Sequence, residues 1–125
     1  MKKIVKTDKA PGAIGPYSQA VESGGFLFCS GQITIDLETG QLVEGGVDVQ
    51  AEQVLKNVKG LLEGAGYSLN DVIKTTVYAR SINDFAIINE IYGKCFSENF
   101  PARSFVEVSG LPRGALVEIE VIASK

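Results

Sequence analysis

The side chains that could carry out chemistry in this chain of 125 residues form a small polar set without histidine. The lack of histidine excludes serine–histidine and cysteine–histidine nucleophile systems and any histidine metal site. Cys29 and Cys95 do not have metal-ligand spacing, and no phosphate-binding or dinucleotide-binding glycine motif occurs in a suitable context. We therefore expect no metal and no other cofactor. The candidates that remain are Tyr17, Ser30, Arg103, Glu118 and Glu120.

Arg103 and Glu118 have the clearest chemical use in this set. A guanidinium group presents a planar fork that binds a carboxylate through two hydrogen bonds, which a lysine cannot do. A glutamate can accept a proton from an attacking water molecule and return it to a leaving group if its pKa suits the reaction. Each candidate also has a purely structural interpretation, because tyrosines fill cores, serines end strands and exposed charges are often simply solvated.

Two β-rich runs, residues 101–108 and 115–123, carry these two side chains on either side of a Gly/Pro turn at 109–114. Alternate residues of a strand share a face. The mixed faces carry Arg103, Phe105, Glu107, Glu118, Glu120 and Ile122, and the apolar faces carry Val106, Val108, Val117, Ile119, Val121 and Ala123. We predict that the apolar faces join the core and that the mixed faces form a partner surface or a site. The alternative is a sheet face that contacts only water.

The rest of the chain is predicted to supply two helices and four more strands. Apolar residues recur with a 3.6-residue period over 47–65 and 85–96, which indicates two amphipathic helices. The first is expected to stop at Gly64 and Gly66, and the second to follow a capping box at 81–84 and to run to about residue 99. Strands at 3–7, 18–22, 26–30 and 73–80 give the order βββαβαββ. Two helices cover only one face of such a sheet, and we favour another chain on the other face.

Composition indicates one soluble domain spanning residues 1–125, with a mass of 13.3 kDa and 45% hydrophobic residues. The formal charge of −3 and the pI near 4.9 argue against nucleic-acid binding, since binding to phosphates depends on a basic surface. No run suits a secretory signal or a transmembrane helix, so no membrane is expected as a partner. Both cysteines lie in apolar segments, which favours free thiols in a reducing, cytoplasmic environment over a disulfide.

Four sequence motifs occur in a familiar order along the chain. They are Gly-Pro-Tyr-Ser-Gln-Ala at 15–20, Ser-Gly-Gln-Ile at 30–33, Asn-Asp-Phe-Ala-Ile-Ile-Asn-Glu at 83–90, and Pro-Ala-Arg-Ser at 101–104 with Val-Glu-Ile-Glu-Val-Ile-Ala at 117–123. Together they resemble the RidA (YjgF) family of reactive-intermediate deaminases over essentially the whole chain. The resemblance implies an α+β fold with a single mixed six-stranded sheet and two helices on one face. It also implies a chorismate-mutase-like homotrimer with sites in clefts between subunits.

The same resemblance implies an activity and roles for individual residues. The activity is cofactor-free hydrolysis of enamine or imine acids, such as the 2-aminoacrylate released by pyridoxal-phosphate dehydratases, to 2-keto acids and ammonia. Arg103 resembles the arginine that binds the substrate carboxylate, and Glu118 resembles the carboxylate that handles water. The remaining lining is implied for Tyr17, Ser30, Gly31 and, more peripherally, Asn89. Phe105 stands where many members have cysteine, at a position that contributes mainly its backbone amide, so its ring affects pocket shape and substrate range.

Three other functions are compatible with these residues. A non-catalytic keto-acid binding or regulatory module would use the same intersubunit cleft and would keep Arg103 without needing Glu118. A nucleic-acid role, proposed for relatives, is the weakest because of the acidic pI. A chaperone-like role has no long exposed apolar segment to support it.

Overall fold

Strand pairing joins six strands into one mixed sheet, and the computed structural model describes all of residues 1–125. The strands are β1 (Lys3–Val5), β2 (Ala20–Ser23), β3 (Phe26–Cys29), β4 (Val72–Ala79), β5 (Ala102–Glu107) and β6 (Val117–Ser124). Their order across the sheet is β1-β2-β3-β6-β4-β5, with β4 and β5 parallel and the other neighbours antiparallel. The predicted element order and the mixed six-stranded sheet are confirmed.

Two amphipathic helices, α1 (Val47–Gly64) and α2 (Phe85–Phe96), pack on one face of this sheet, as predicted. The apolar face of α1 packs into the core, and its buried residues include Ala51, Val54, Leu55, Val58, Leu61 and Leu62. The chain leaves α1 through Gly66, whose φ of 84° lies in the left-handed region that glycine tolerates best. No helix of the protein has the length and apolarity needed to span a membrane.

The two ends of α2 differ from the sequence prediction. Ser81 caps a short 3-10 turn, Ile82–Asp84, and the α-helix starts only after this turn. The helix also ends before residue 99, because Ser97 and Asn99 have φ values of 54° and 52°. A left-handed backbone cannot continue a right-handed helix, so the chain turns here and enters β5.

The helices cover one face of the sheet and leave the other face open. On β6 the covered face carries the buried side chains Val117, Ile119, Val121 and Ala123, and the open face carries Glu118, Glu120 and Ile122. This alternation is the one that the sequence predicts. It places Glu118 on the side of the sheet that the helices do not cover.

Strand β5 has the opposite orientation to the predicted one. Arg103 and Phe105 are in register with Thr75 and Val77, two fully buried residues on the covered face of β4. Val106, which we expected in the core, is on the open face and 41% exposed. The reason is that β5 is the edge strand beside α2, where the Phe105 ring packs against the core and a helix residue rather than facing a partner chain.

A β-bulge interrupts the pairing of β3 with β6 at Ser30 and Gly31. Between the last β3–β6 pair and the isolated bridge beyond it, three residues oppose two residues of β6. Such a bulge redirects the backbone and its side chains. Here it places Gly31 directly against the Glu118 side chain.

Candidate active site

Arg103 is held half-buried between aromatic rings at the edge of the sheet. Its guanidinium carbon lies 4.8 Å from the ring centroid of Tyr92, 5.6 Å from that of Phe105 and 5.7 Å from that of Phe85. Its Nη1 donates a 2.6 Å hydrogen bond to Asn89 Oδ1. No carboxylate of the chain forms an ion pair with it. The guanidinium therefore keeps N–H donors free for an external anion.

A cleft of about 330 Å³ opens beside this guanidinium. It is lined by Asn89, Tyr92, Gly93, Phe100, Pro101 and Arg103. The lining combines one cation and one amide with apolar walls and contains no acidic residue. That composition suits a small carboxylate, since a few polar groups set within apolar walls fix the orientation of a ligand.

Glu118 lies half-buried on the open face, and its pKa is raised above the ordinary glutamate value. Burial is the main cause because it penalises the charged carboxylate, and the neighbouring Glu120 charge adds to it. Glu120 itself accepts a 2.7 Å hydrogen bond from the Tyr78 hydroxyl. That bond, followed by burial, raises the pKa of Tyr78. Glu118 is thus the less engaged of the two carboxylates and is the better placed to take up a proton.

Ser30 and Gly31 place the bulge backbone against the Glu118 carboxylate. The Ser30 hydroxyl donates a 2.6 Å hydrogen bond to the Ser18 carbonyl oxygen, which fixes its rotamer and leaves its lone pairs as acceptors. A Cβ atom at Gly31 would collide with the carboxylate of Glu118. A glycine at this position therefore makes the space that the carboxylate occupies.

Tyr17 projects from the Gly/Pro-rich loop and is 54% exposed, so it does not fill the core. Its hydroxyl oxygen accepts a 3.4 Å hydrogen bond from the Ile14 backbone N–H. A cleft of about 520 Å³ joins this ring to the bulge and to β6. Its lining includes Tyr17, Ser30, Gly31, Glu118, Arg113 and the apolar side chains of Ile14, Ile33 and Ile35.

The predicted site residues therefore form two separate groups within one chain. Tyr17, Ser30, Gly31 and Glu118 share the larger of these clefts, on the open side of the sheet. Arg103 lines the other cleft with Asn89, and the Phe105 ring packs beside the guanidinium instead of lining either cleft. A third cleft, about 850 Å³ beside β1, shares Tyr17 but holds neither Arg103 nor Glu118. Within one chain these two groups of residues do not meet.

Sequence reasoning missed three residues that shape these clefts. The buried Gln19 side chain holds the Tyr17 loop through hydrogen bonds to the backbone of residues 7, 10 and 11. Tyr92 lies under the Arg103 guanidinium, and Arg113 lines the Glu118 cleft with a φ of 59°. No sequence signal distinguished these residues by function, because Gln19 directly precedes β2 among other polar residues and Tyr92 matched the period of a core position. No group of three or more potential ligands with metal-binding geometry is present.

The sequence and the fold are similar to those of known proteins. The family model described as Endoribonuclease L-PSP matches residues 7–125. A RutC family protein of Pyrococcus horikoshii is 57% identical over 125 residues, covering 100% of this chain and 99% of the relative. The human 2-iminobutanoate/2-iminopropanoate deaminase is 50% identical over 123 residues, covering 98% of this chain and 90% of the human protein.

Two solved structures show the same architecture. The crystal structure of RidA from a Psychrobacter species superposes with a TM-score of 0.94 at 48% identity and covers 98% of this chain and 99% of that chain. The crystal structure of E. coli TdcF with bound serine superposes with a TM-score of 0.93 at 45% identity and covers 98% of both chains.

Proposed function

Because the chain belongs to the Endoribonuclease L-PSP family, the YjgF/RidA family, we propose that it hydrolyses reactive enamine and imine acids to 2-keto acids and ammonia. 2-Aminoacrylate and its imine tautomer are the substrates that we expect. Mammalian relatives at about 50% identity are named as 2-iminobutanoate/2-iminopropanoate deaminases. The observation that carries the proposal is the pair of clefts, one with an unpaired guanidinium and one with a carboxylate of raised pKa, which we interpret as two half-sites.

In this reaction Arg103 binds the carboxylate of the substrate. The C=N carbon of an imine that is protonated on nitrogen is already electrophilic. The enzyme therefore has to position the imine and direct a water molecule toward this carbon. The fork of the guanidinium fixes the carboxylate in one plane, and Asn89 and Phe105 shape the surroundings of that fork.

Glu118 handles the protons in the proposed mechanism. It accepts a proton as water adds to the C=N carbon, which gives a tetrahedral carbinolamine. It then returns that proton to the nitrogen. As the C–N bond breaks and the C=O bond forms, Glu118 takes the proton of the carbinolamine hydroxyl, and ammonia and the keto acid leave. The proton then passes from Glu118 to the released ammonia, which restores the carboxylate. Tyr17, Ser30 and the Gly31 backbone line the space around the reacting atoms. Every atom comes from the imine and one water molecule, so the step needs no cofactor.

We infer that the two half-sites meet between copies of the chain in a homotrimer. The Arg103 cleft is at the sheet edge and the Glu118 cleft is on the open side, so two copies must pair to bring them together. Residues 1–125 would act as one RidA-like domain, because a single core joins both helices to the sheet. A cytoplasmic location fits the two free thiols.

The direct test is ammonia and keto-acid release when the protein is added to a dehydratase that generates 2-aminoacrylate. Wild-type protein should raise the rates of ammonia release and keto-acid release equally, above the spontaneous rate. Dialysis against a chelator should leave the acceleration unchanged, because no metal takes part in the proposed steps. Equal rates with and without the protein would overturn the proposal.

A keto-acid binding module is the second candidate, favoured by the serine bound to the TdcF relative. Binding alone requires Arg103 but gives Glu118 no proton to move. A protein of this kind would bind 2-oxobutanoate and show no acceleration in the dehydratase assay. The family description also names an endoribonuclease, but the net charge of −3 gives RNA little electrostatic attraction.

A further inference from the structure

The place of Arg103 in the fold does little to restrict the orientation of its guanidinium. Arg103 sits on β5, the edge strand, where one side has no neighbouring strand to restrict it. An arginine has many rotamers, and it gains bidentate specificity only when the plane of its fork is fixed. Asn89 holds one nitrogen through a 2.6 Å hydrogen bond, which leaves rotation about that contact open.

Tyr92 is the most firmly held of the three rings around the guanidinium. Its centroid is also the nearest, at 4.8 Å. It is only 4% exposed, whereas Phe85 is 40% exposed and Phe105 belongs to the edge strand itself. A cation lies favourably over an aromatic face, and the attraction is larger where water is excluded.

A buried hydrogen bond fixes the Tyr92 ring in turn. Its hydroxyl lies 2.7 Å from Thr75 Oγ1, and the Thr75 side chain is fully buried on β4. Thr75 is also the register partner of Arg103 in the parallel β4–β5 pair. Arg103 is therefore connected to Thr75 in two ways. The strands pair the two residues directly, and Tyr92 links them through its hydroxyl bond to Thr75 and its ring contact with the guanidinium.

We propose that Tyr92 is a positioning residue that fixes the plane of the Arg103 guanidinium for the substrate carboxylate, with Thr75 as its anchor. The inference rests on the carboxylate-binding role proposed above. Since the carboxylate is bound alike before and during the reaction, loss of positioning should act on KM and leave kcat nearly unchanged.

The test compares binding of 2-oxobutanoate, measured by isothermal titration, with steady-state kinetics on the imine. Tyr92→Leu should weaken 2-oxobutanoate binding and raise KM by about 5- to 30-fold while kcat stays within about twofold. Tyr92→Phe and Thr75→Val each remove the hydroxyl bond but keep the ring, and should weaken binding by about 2- to 5-fold. Their double variant should be no weaker than either single one, because both remove the same bond.

Phe96→Leu is the matched control for a lost ring. Phe96 is 5% exposed, lies on the same helix and packs against Tyr92 at 4.7 Å, but it makes no contact with the guanidinium. It should lower the melting temperature without changing 2-oxobutanoate affinity. Equal affinity losses in Phe96→Leu and Tyr92→Leu would contradict the positioning role. Additive losses in Thr75→Val and Tyr92→Phe would contradict it too, even if Tyr92→Leu does not fold.

Arg103→Ala separates this inference from the proposed function. If Arg103→Ala loses 2-oxobutanoate binding while Tyr92→Leu retains it, only the positioning role fails. If Arg103→Ala retains binding, the carboxylate clamp of the proposed function fails and the positioning role falls with it. If the Tyr92 variants lose affinity as expected but the wild type shows no turnover, positioning holds and the deaminase proposal fails.

Discussion

Glu118 and Glu120 lie two residues apart on one strand face but differ in what holds them, which allows one to serve as the control for the other. Glu118→Gln keeps the size of the side chain and cannot take a proton, so kcat should fall by about 10²- to 10⁴-fold with little change in 2-oxobutanoate affinity. Glu120→Gln should retain most turnover, because Glu120 is engaged by the Tyr78 hydroxyl. Steady-state kinetics and titration check both. If turnover survives Glu118→Gln but is lost in Glu120→Gln, the assignment of proton transfer to Glu118 is wrong.

The raised pKa of Glu118 predicts the acid limb of the pH profile. A base must be deprotonated, so kcat/KM should rise with pH through a pKa above the ordinary glutamate value of 4.5. Glu120→Gln removes the repulsion between the carboxylates and should move this limb to lower pH. Because folding raises this pKa, Glu118 favours the folded state below pH 4.5 and loses that contribution as pH rises through the raised value. If the acid limb of the kcat/KM profile stays at the same pH in Glu120→Gln, the electrostatic coupling between the two carboxylates is contradicted.

Single residues could be selected as site candidates from the sequence where their chemistry is unusual, but not where they resemble core residues. Arg103 and Glu118 stood out because charges inside β-rich runs require an explanation. Tyr92 did not, because an aromatic residue at a helical period is expected to be buried, and it is buried. Its second use, under a guanidinium, depends on β5 lying beside α2, which periodicity cannot show.

In the bulge after β3, Gly31 leaves the space that the Glu118 carboxylate occupies, and this role can be tested. In Gly31→Ala the new Cβ would displace the Glu118 carboxylate, and catalysis is sensitive to displacements of about 1 Å. We expect kcat/KM to fall by about 10- to 100-fold with a small change in melting temperature, since a side chain rather than backbone has to move. Gly110→Ala is the matched control, because a Cβ there meets no atom within 4 Å. Equal activity in the two variants would contradict the role of the bulge.

Strand β5 shows where element-level prediction fails. Its sequence has an apolar side chain on each face, Phe105 on one and Val106 on the other, so the period of two marks a strand without choosing its core side. Position in the sheet made the choice, because at the edge beside α2 the larger ring packs against the helix. By contrast, β6 is central and has one fully apolar face, and its orientation was predicted correctly.

At the scale of the whole molecule, the open face of the sheet suits contact with another chain, and the homotrimer proposed above would cover it. The open face presents exposed Ile4, Phe26, Phe28 and Val106 around the acidic pair, more apolar surface than a face meant only for water. Light scattering should give three times the chain mass of 13.3 kDa. Phe28→Lys should shift this mass toward the monomer and abolish turnover although both half-sites stay intact. An active monomer would overturn the intersubunit site.

Mixing two inactive variants tests the division of the site between copies. Arg103→Ala damages one half-site and Glu118→Gln the other, and the two clefts lie apart within a chain. After the two variants are mixed in equal amounts, dissociated and reassembled, about a quarter of the interfaces should pair an intact Arg103 with an intact Glu118, as random assembly of a cyclic oligomer requires. Activity should therefore recover to about a quarter of the wild-type rate, while each variant reassembled alone stays inactive. If both residues acted from the same chain, no mixed trimer would contain a complete site and the mixture would remain inactive.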